Sequence, residues 1–153
     1  MSKELSVRPY ILKFSMVYMI GIIILITGFV VFELSYSAYA SIIVLMGAVL
    51  YTTSEFIQDT GRTPVKIEKI KLIWFSFLMS WLMLLLLIVA GVLLLGGQQG
   101  MAEFGSMLSQ IGVTKITGAV CIVSLVYLLV MFLGYGKVAK MQYKILRKNG
   151  MMM

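Results

Sequence analysis

Four long apolar runs dominate the pattern of hydrophobic and polar positions along the chain. An α-helix rises about 1.5 Å per residue, so about 20 consecutive apolar residues are needed to cross the hydrocarbon core of a bilayer. Each run approaches or exceeds that length and contains no Asp, Glu, Lys or Arg. We therefore predict an all-α, polytopic membrane protein, a four-transmembrane-helix bundle that forms one membrane domain over residues 1–153. The predicted spans are residues 14–32, 36–54, 72–95 and 116–136.

The segments between and after these runs predict further structure. Residues 33–35 are so few that the first two helices must form an antiparallel hairpin. The loop between the third and fourth runs, residues 96–115, we call the outer loop. Its apolar residues recur at helical spacing after a glycine-rich start, which predicts a short helix at the outer interface. In the cytoplasmic tail, residues 137–153, apolar residues recur among cations, which predicts a basic amphipathic helix.

The inner loop, residues 55–71, has the composition of a turn followed by a helix start. Gly61 suits a backbone with positive φ, and Thr63 suits a helix N-cap. Pro64 suits the first helical position, where its missing N–H costs nothing. We therefore expect the third helix to begin near Pro64, several residues before its apolar run.

The cationic residues are distributed unevenly among the segments that flank the apolar runs. Of the 13 Lys and Arg residues, all except Lys115 lie in the N-terminal segment, the inner loop or the tail. Lys and Arg near the ends of spans are retained on the cytoplasmic side of a membrane. This asymmetry predicts a multi-pass protein of the bacterial inner (plasma) membrane with both termini cytoplasmic.

Composition and net charge narrow the class of protein. Hydrophobic residues make up 61% of the chain and charged residues only 12%, which is too little polar surface for a soluble domain of this size. A net charge of +7 would favour a nucleic-acid partner in a soluble protein. Here the cations flank apolar runs, so we expect the anionic headgroups of membrane lipids as partners and no nucleic acid.

Residues that could bind a metal ion or act in catalysis are scarce. The chain has no His and a single Cys, Cys121, so the usual metal clusters and catalytic dyads cannot be assembled. The apolar runs hold no carboxylate for an intramembrane acid pair or for proton-coupled transport. We expect no enzyme activity, no catalytic residue, no cofactor and no metal site.

The triplet Gly134-Tyr135-Gly136 matches part of a potassium-channel filter. It lacks the preceding Thr-Val pair and lies at the end of a continuous span rather than in a re-entrant loop. We interpret it as a flexible helix end that carries an interfacial tyrosine.

The inner loop holds the polar residues that we consider candidates for a binding site. Asp59 and Arg62 are close enough across the turn to form a local ion pair, which would contribute only about 0–1 kcal/mol if exposed. In the alternative interpretation, Arg62 with Lys66 and Lys69 binds a phospholipid headgroup or a partner protein. The sequence leaves both interpretations open. The candidates for partner or lipid-headgroup binding are Asp59, Arg62, Lys66 and Lys69.

The same loop carries the pattern F-x-x-D-x-G-R-x-P-x-x-x-E-K, formed by Phe56, Asp59, Gly61, Arg62, Pro64, Glu68 and Lys69. With this pattern the chain resembles a family of small, uncharacterised four-span inner-membrane proteins of Acinetobacter and related proteobacteria. The resemblance covers the whole arrangement of spans, whereas the pattern occupies about 14 residues. It implies a membrane location and a shared inner loop. It implies no catalytic residue, because the family has no assigned activity.

Small residues recur at helical or near-helical spacing in each apolar run. They let helix backbones approach closely in lipid, where no hydrophobic drive brings helices together. Packing inside the bundle is the simplest interpretation, and a homo-oligomer or partner surface is the alternative. The candidate helix-packing residues are Gly21, Gly28, Ser37, Ser41, Ser76, Ser80, Thr117 and Cys121.

Because no sequence pattern in the chain indicates an enzymatic or transport activity, we consider binding as its function. Methionine side chains in the spans offer a pliable surface, which suits a protein partner and equally suits the filling of gaps. We expect a protein that binds another membrane protein, as an accessory subunit or as an immunity-type protein against a membrane-inserting toxin. The alternative is a small oligomeric channel or exporter. The methionines concerned are Met16, Met19, Met46, Met79, Met83 and Met131.

Overall fold

Every regular element of the protein is helical in the computed structural model, which describes residues 6–32 and 38–148. The prediction of an all-α protein is therefore confirmed. Residues 6–32 and 38–148 form five α-helices, and a π-helical turn, Gly134–Val138, joins the last two of them. The α-helices are α1 (Arg8–Phe32), α2 (Ala38–Thr60), α3 (Lys66–Ile111), α4 (Val113–Leu133) and α5 (Ala139–Lys148).

In the described part of the chain, four stretches of helix are long and apolar enough to cross a membrane, which agrees with the predicted number and suggests a multi-pass membrane protein. The helices run past the apolar runs into polar sequence, because a helix end can keep its charged groups in water while its backbone stays hydrogen-bonded. The predicted hairpin at residues 33–35 lies outside the described residues. The four stretches are Arg8–Gly28, Ala40–Thr60, Lys66–Leu94 and Val113–Lys148.

A sharp break at Gly97 divides α3 into two arms. Gly97 has φ 55° and ψ −141°, which lie outside helical values. A Cβ on Gly100 would lie 3.1 Å from the Val92 carbonyl oxygen, although a straight helix would separate these residues by about 12 Å. The helix expected in the outer loop is thus the second arm of α3. The rest of that loop is shorter than predicted, because α4 begins directly after Gly112.

Cationic segments meet at one end of the molecule, which we call the basic end. There the Tyr10 hydroxyl of α1 donates a hydrogen bond of 3.2 Å to Asp59 Oδ2 of α2, and Lys13 forms an ion pair with Glu55. Thr63, which follows α2, lines a cavity together with residues of α5. The start of α1, the connection between α2 and α3, and α5 therefore all lie at this end.

The hydrophobic core is concentrated toward the basic end. The rings of Phe14 and Tyr18 in α1 are fully buried and stack with centroids 5.8 Å apart. Phe56 of α2 is also fully buried, with its ring centroid 4.9 Å from that of Tyr10. Farther from this end, α3 and α4 leave most of their apolar surface uncovered. Lipid would solvate that surface, whereas water would not.

The π-helical turn packs α4 tightly against α2 and α3. The Ala139 backbone N–H donates to the Gly134 carbonyl oxygen, five residues earlier. Tyr135 is 1% exposed, and its hydroxyl lies 3.0 Å from that of Ser76 and hydrogen-bonds Thr52. The expectation of a flexible helix end with an interfacial tyrosine is therefore wrong, because buried hydroxyl partners hold this tyrosine inside the bundle.

Replacing Gly134 by Ala should destabilise the folded protein by about 1–3 kcal/mol, because the added methyl group would collide with the Val49 side chain of α2. Gly118→Ala is the matched control in α4, since its Cβ would meet nothing within 4 Å. The free energies of unfolding can be compared by denaturant titration in detergent micelles. Equal stability of the two variants would contradict close packing of the π-helical turn on α2.

Candidate functional site

The α2–α3 loop, residues 61–65, is held by a bidentate ion pair between Arg62 and Glu68. Arg62 Nη1 and Nη2 each donate to a Glu68 carboxylate oxygen at 2.7 Å, and Glu68 is 1% exposed. Glu68 Oε2 also accepts a hydrogen bond of 3.0 Å from the Val65 backbone N–H at the start of α3. Hydrogen bonding to Glu68 raises the pKa of Arg62 above its ordinary value. The pair therefore joins the loop to the first turn of α3.

Asp59 does not pair with Arg62, so that interpretation of the sequence is wrong. The Asp59 carboxylate accepts the hydrogen bond from Tyr10, and its Oδ2 lies 3.9 Å from Lys13 Nζ. Arg62 contacts Glu68 instead, which offers both carboxylate oxygens in a sheltered position. A bidentate pair in such a position is favoured over a single contact across an exposed turn.

The start of α3 also differs from the expectation. Thr63 and Pro64 precede the helix, which begins at Lys66 with Val65 in the N-cap position. The Val65 side chain cannot cap a helix, and no side-chain hydrogen bond comes from it. The Glu68 carboxylate instead accepts the backbone N–H of Val65 itself, and the helix starts two residues beyond the predicted position.

Residues of the F-x-x-D-x-G-R-x-P-x-x-x-E-K pattern lie where α2, the loop and α3 join. Phe56 contacts the Tyr10 ring and lies under the Arg62 guanidinium, whose carbon is 5.7 Å from the Phe56 ring centroid. Gly61 has φ 63°, a left-handed backbone conformation that favours glycine. Most of the pattern thus describes how two helices are joined, and in that role its residues contact other residues of the chain.

Lys66 and Lys69, in contrast, line an open cavity at the surface of the basic end. The cavity has a volume of about 330 Å³ and is also lined by Lys137 and Lys140. Lys69 Nζ lies 3.8 Å from the centre of the Phe132 ring, which is a cation–π geometry. No ion pair joins these four lysines to a carboxylate of residues 6–32 or 38–148. Of the four candidate site residues, Asp59 and Arg62 serve internal contacts, and the two lysines face the cavity.

Some of the predicted helix-packing residues lie at close contacts between helices. A Cβ on Gly21 of α1 would lie 2.5 Å from Val44 Cγ1 of α2, so only glycine permits this approach. Ser76 and Ser80 of α3 are fully buried. Ser41 of α2 is partly buried.

Other predicted packing residues lie on open surface. A Cβ on Gly28 would have no neighbouring atom within 4 Å. Thr117 and Cys121 are exposed. The interpretation of Thr117 and Cys121 as packing residues within the chain is therefore not supported, since the buried residues of α4 lie in its second half. Ser37 lies outside the described residues.

Chemically, this end of the molecule offers fixed cations and apolar surface. Within the described ranges, no three His, Cys, Asp or Glu side chains come close enough to hold a metal ion. The polar groups inside the bundle are mainly hydroxyls. Most of them donate to backbone carbonyl oxygens of their own helix, and others bond to one another, such as those of Tyr18 and Tyr127, 3.3 Å apart. Such an arrangement suits the binding of anions and of apolar molecules.

Sequence analysis missed several residues that the structure brings to the basic end. Tyr10 and Lys13 connect α1 to α2, but nothing local in the N-terminal segment indicates which acids they meet. Lys137 and Lys140 belong to the tail in the sequence, and only the π-helical turn brings them to the start of α3.

Comparison with protein families, with curated proteins and with solved structures found no match to this chain. The resemblance carried by the inner-loop pattern therefore stays a prediction. What the protein does must be inferred from its own residues and their geometry.

Replacing Glu68 by Gln should destabilise the protein by about 2 kcal/mol, because it leaves Arg62 without its counter-ion and removes two charged hydrogen bonds. The Arg62 side chain is 31% exposed, so water recovers part of the cost. Glu103→Gln, at an exposed position in the second arm of α3, is the matched control and should change stability by less than about 0.5 kcal/mol. Denaturant titration in one detergent gives both values. Similar losses in the two variants would argue against a structural role for the pair.

Proposed function

We propose that this protein is a non-enzymatic integral protein of the bacterial inner membrane that acts by binding another membrane protein. It serves either as an accessory subunit of a larger complex or as an immunity-type protein against a membrane-inserting toxin. Both versions need a surface within the membrane that accepts a helix of another chain. The observation that supports the proposal is a methionine-lined groove between α1 and α3, which we call the α1–α3 groove.

Methionines from two helices line the α1–α3 groove, which has a volume of about 820 Å³. Met16 and Met19 come from α1, and Met79 and Met83 come from α3. Met131, in contrast, is fully buried in the core, where it fills a gap. Unbranched, polarisable side chains adapt to the shape of an incoming helix, so the groove methionines suit a protein partner.

Cations line the same groove together with the methionines. Arg8 and Lys71 are both among its lining residues. The Ser15 hydroxyl, which also lines the groove, donates to the Ile11 carbonyl oxygen at 2.9 Å and so needs no partner from outside. This distribution complements a transmembrane helix that is apolar along its length and negative at one end, through an acidic side chain or the C-terminal end of its dipole.

We further propose that both termini are cytoplasmic. The cationic segments of the described chain meet at the basic end, and cations at span ends are retained on the cytoplasmic side. The proposed membership in the four-span family of Acinetobacter and related proteobacteria rests on the inner-loop pattern and agrees with this orientation.

Cysteine labelling tests the orientation in a Cys121→Ser background. A membrane-impermeant maleimide added to intact spheroplasts should label Ser106→Cys in the second arm of α3, because that arm lies on the opposite side from the basic end. Gln58→Cys, exposed near the end of α2, is the matched position and should react only after the cells are opened. Labelling of Gln58→Cys from outside would contradict the proposed orientation.

Site-specific photocrosslinking in native membranes tests the binding function. A photoreactive amino acid at Met16, which is 54% exposed in the α1–α3 groove, should give a stoichiometric adduct with one other membrane protein. The same amino acid at Ile24, which is 66% exposed on α1 outside the groove, should give lipid adducts. The adduct at Met16 should be lost in Met83→Trp, which fills the groove, and kept in Leu78→Trp, which changes exposed surface of α3 outside it.

Several outcomes would count against the proposed function. Adducts that contain only this chain or only lipid at Met16 would remove the groove as a docking surface. A protein adduct at Met16 that persists in Met83→Trp would show that the partner passes Met16 without occupying the α1–α3 groove. Solute flux through vesicles that contain only the purified protein would instead favour the small oligomeric channel or exporter.

A further inference from the structure

We infer a second binding site, for an anionic phospholipid, where the start of α3 meets the π-helical turn. The site has two parts, a cavity lined by four lysines and an apolar groove that continues from it. It does not depend on the proposed partner protein, because it shares no lining residue with the α1–α3 groove.

The first part is the cavity of about 330 Å³, which we call the lysine pocket. Lys66 and Lys69 come from the first turn of α3, and Lys137 and Lys140 come from the π-helical turn and α5. Among the described residues that line it, none carries a carboxylate. The nearest acid in sequence, Glu68, is buried and bonded to Arg62, so it does not neutralise the pocket. A phosphate group would complement this concentration of ammonium groups.

The chain holds one of these ammonium groups in place. Lys69 Nζ lies against the Phe132 ring, 3.8 Å from its centre. A Cβ on Gly136 would lie 2.6 Å from the same nitrogen, so the π-helical turn approaches Lys69 as closely as a glycine allows. The position of this cation is therefore set by Phe132 of α4 and Gly136 of the π-helical turn, which is not expected of a lysine that only extends into water.

The second part of the site is an apolar groove of about 660 Å³ between α3 and α4, which we call the α3–α4 groove. It shares Lys66, Lys69 and Phe132 with the lysine pocket, so the two are continuous. Beyond these residues its walls carry no charge. They are formed by Ile70, Ile73, Trp74, Leu125, Leu128 and Leu129.

An anionic phospholipid uses both parts of the site, and other anions do not. Its phosphate lies among the lysines and its acyl chain lies along the α3–α4 groove, toward the centre of the spans. A free phosphate ion would leave the apolar groove unused. Zwitterionic lipids carry a positive group that the lysine pocket repels. Charge complementarity and the direction of the groove thus favour an anionic glycerophospholipid from the leaflet at the basic end.

Native mass spectrometry of the purified full-length protein tests the site with two probes, phosphatidylglycerol and phosphatidylcholine. The protein should retain phosphatidylglycerol preferentially. Lys69→Gln should bind it about fivefold more weakly, while Lys115→Gln, on α4 away from the basic end, should bind it as the unaltered protein does. Gly136→Ala, which displaces the Lys69 ammonium group, should also weaken binding. If Gly136→Ala fails to fold, Lys69→Gln decides the result.

The apolar half of the site is tested with the same assay. Leu129→Trp, which fills the α3–α4 groove, should lower retention of phosphatidylglycerol, and Leu85→Trp, on exposed surface of α3, should not. Inorganic phosphate at equal concentration should fail to displace the lipid. Displacement by phosphate, or no effect of Leu129→Trp, would show a phosphate site without an acyl-chain groove and overturn the proposal. Equal losses in Lys69→Gln and Lys115→Gln would overturn it too, since binding would then follow net charge alone.

Discussion

The arrangement of the basic end depends on the bidentate ion pair between Arg62 and Glu68. A carboxylate as buried as that of Glu68 is costly to hold without a partner, and here two guanidinium hydrogen bonds and the Val65 N–H satisfy it. The pair joins the loop to the first turn of α3. Lys66 and Lys69, three residues apart, then share a face that lies beside the π-helical turn, while Glu68 points toward the loop. Internal pairing of one acid thus leaves the neighbouring lysines for a ligand.

Inside the bundle, a second constraint acts on polar groups. Lipid offers them no hydrogen bonds, so each must find a partner within the protein. Tyr135 bonds Ser76 and joins the π-helical turn to α3, and Tyr18 bonds Tyr127 and joins α1 to α4. Trp81 differs, because among the described residues its buried Nε1 has no hydrogen-bond acceptor. An unmade bond of this kind costs about 1–3 kcal/mol, so an acceptor supplied at this part of α3 would stabilise it.

The features that depend on local composition could be predicted from the sequence. The contacts that depend on residues distant in the sequence could not. Apolar runs gave the number of spans, and the glycines near Gly97 gave the break before the outer helix, because each needs only neighbouring residues. The choice of Arg62 between two acids could not be predicted, since it depends on the burial of Glu68, which the neighbouring sequence does not indicate. The close approach of Gly136 to Lys69 could not be predicted either, because it depends on one extra residue in the π-helical turn. The sequence named Lys66 and Lys69 correctly as cations of the inner loop but not the cavity that they line.

The two proposed surfaces lie on different faces of α3. Phe75, Met79 and Met83, spaced by four residues, line the α1–α3 groove, whereas Ile70, Ile73 and Trp74 line the α3–α4 groove. The grooves share no residue, so a lipid in one does not displace a helix from the other. Much of α3 is uncovered by its own chain, and both ligands would supply contacts that it lacks. Each would bind the folded arrangement and not the unfolded chain, so each would stabilise the protein by mass action. A long helix that packs weakly in isolation is therefore consistent with a subunit whose surroundings complete its fold.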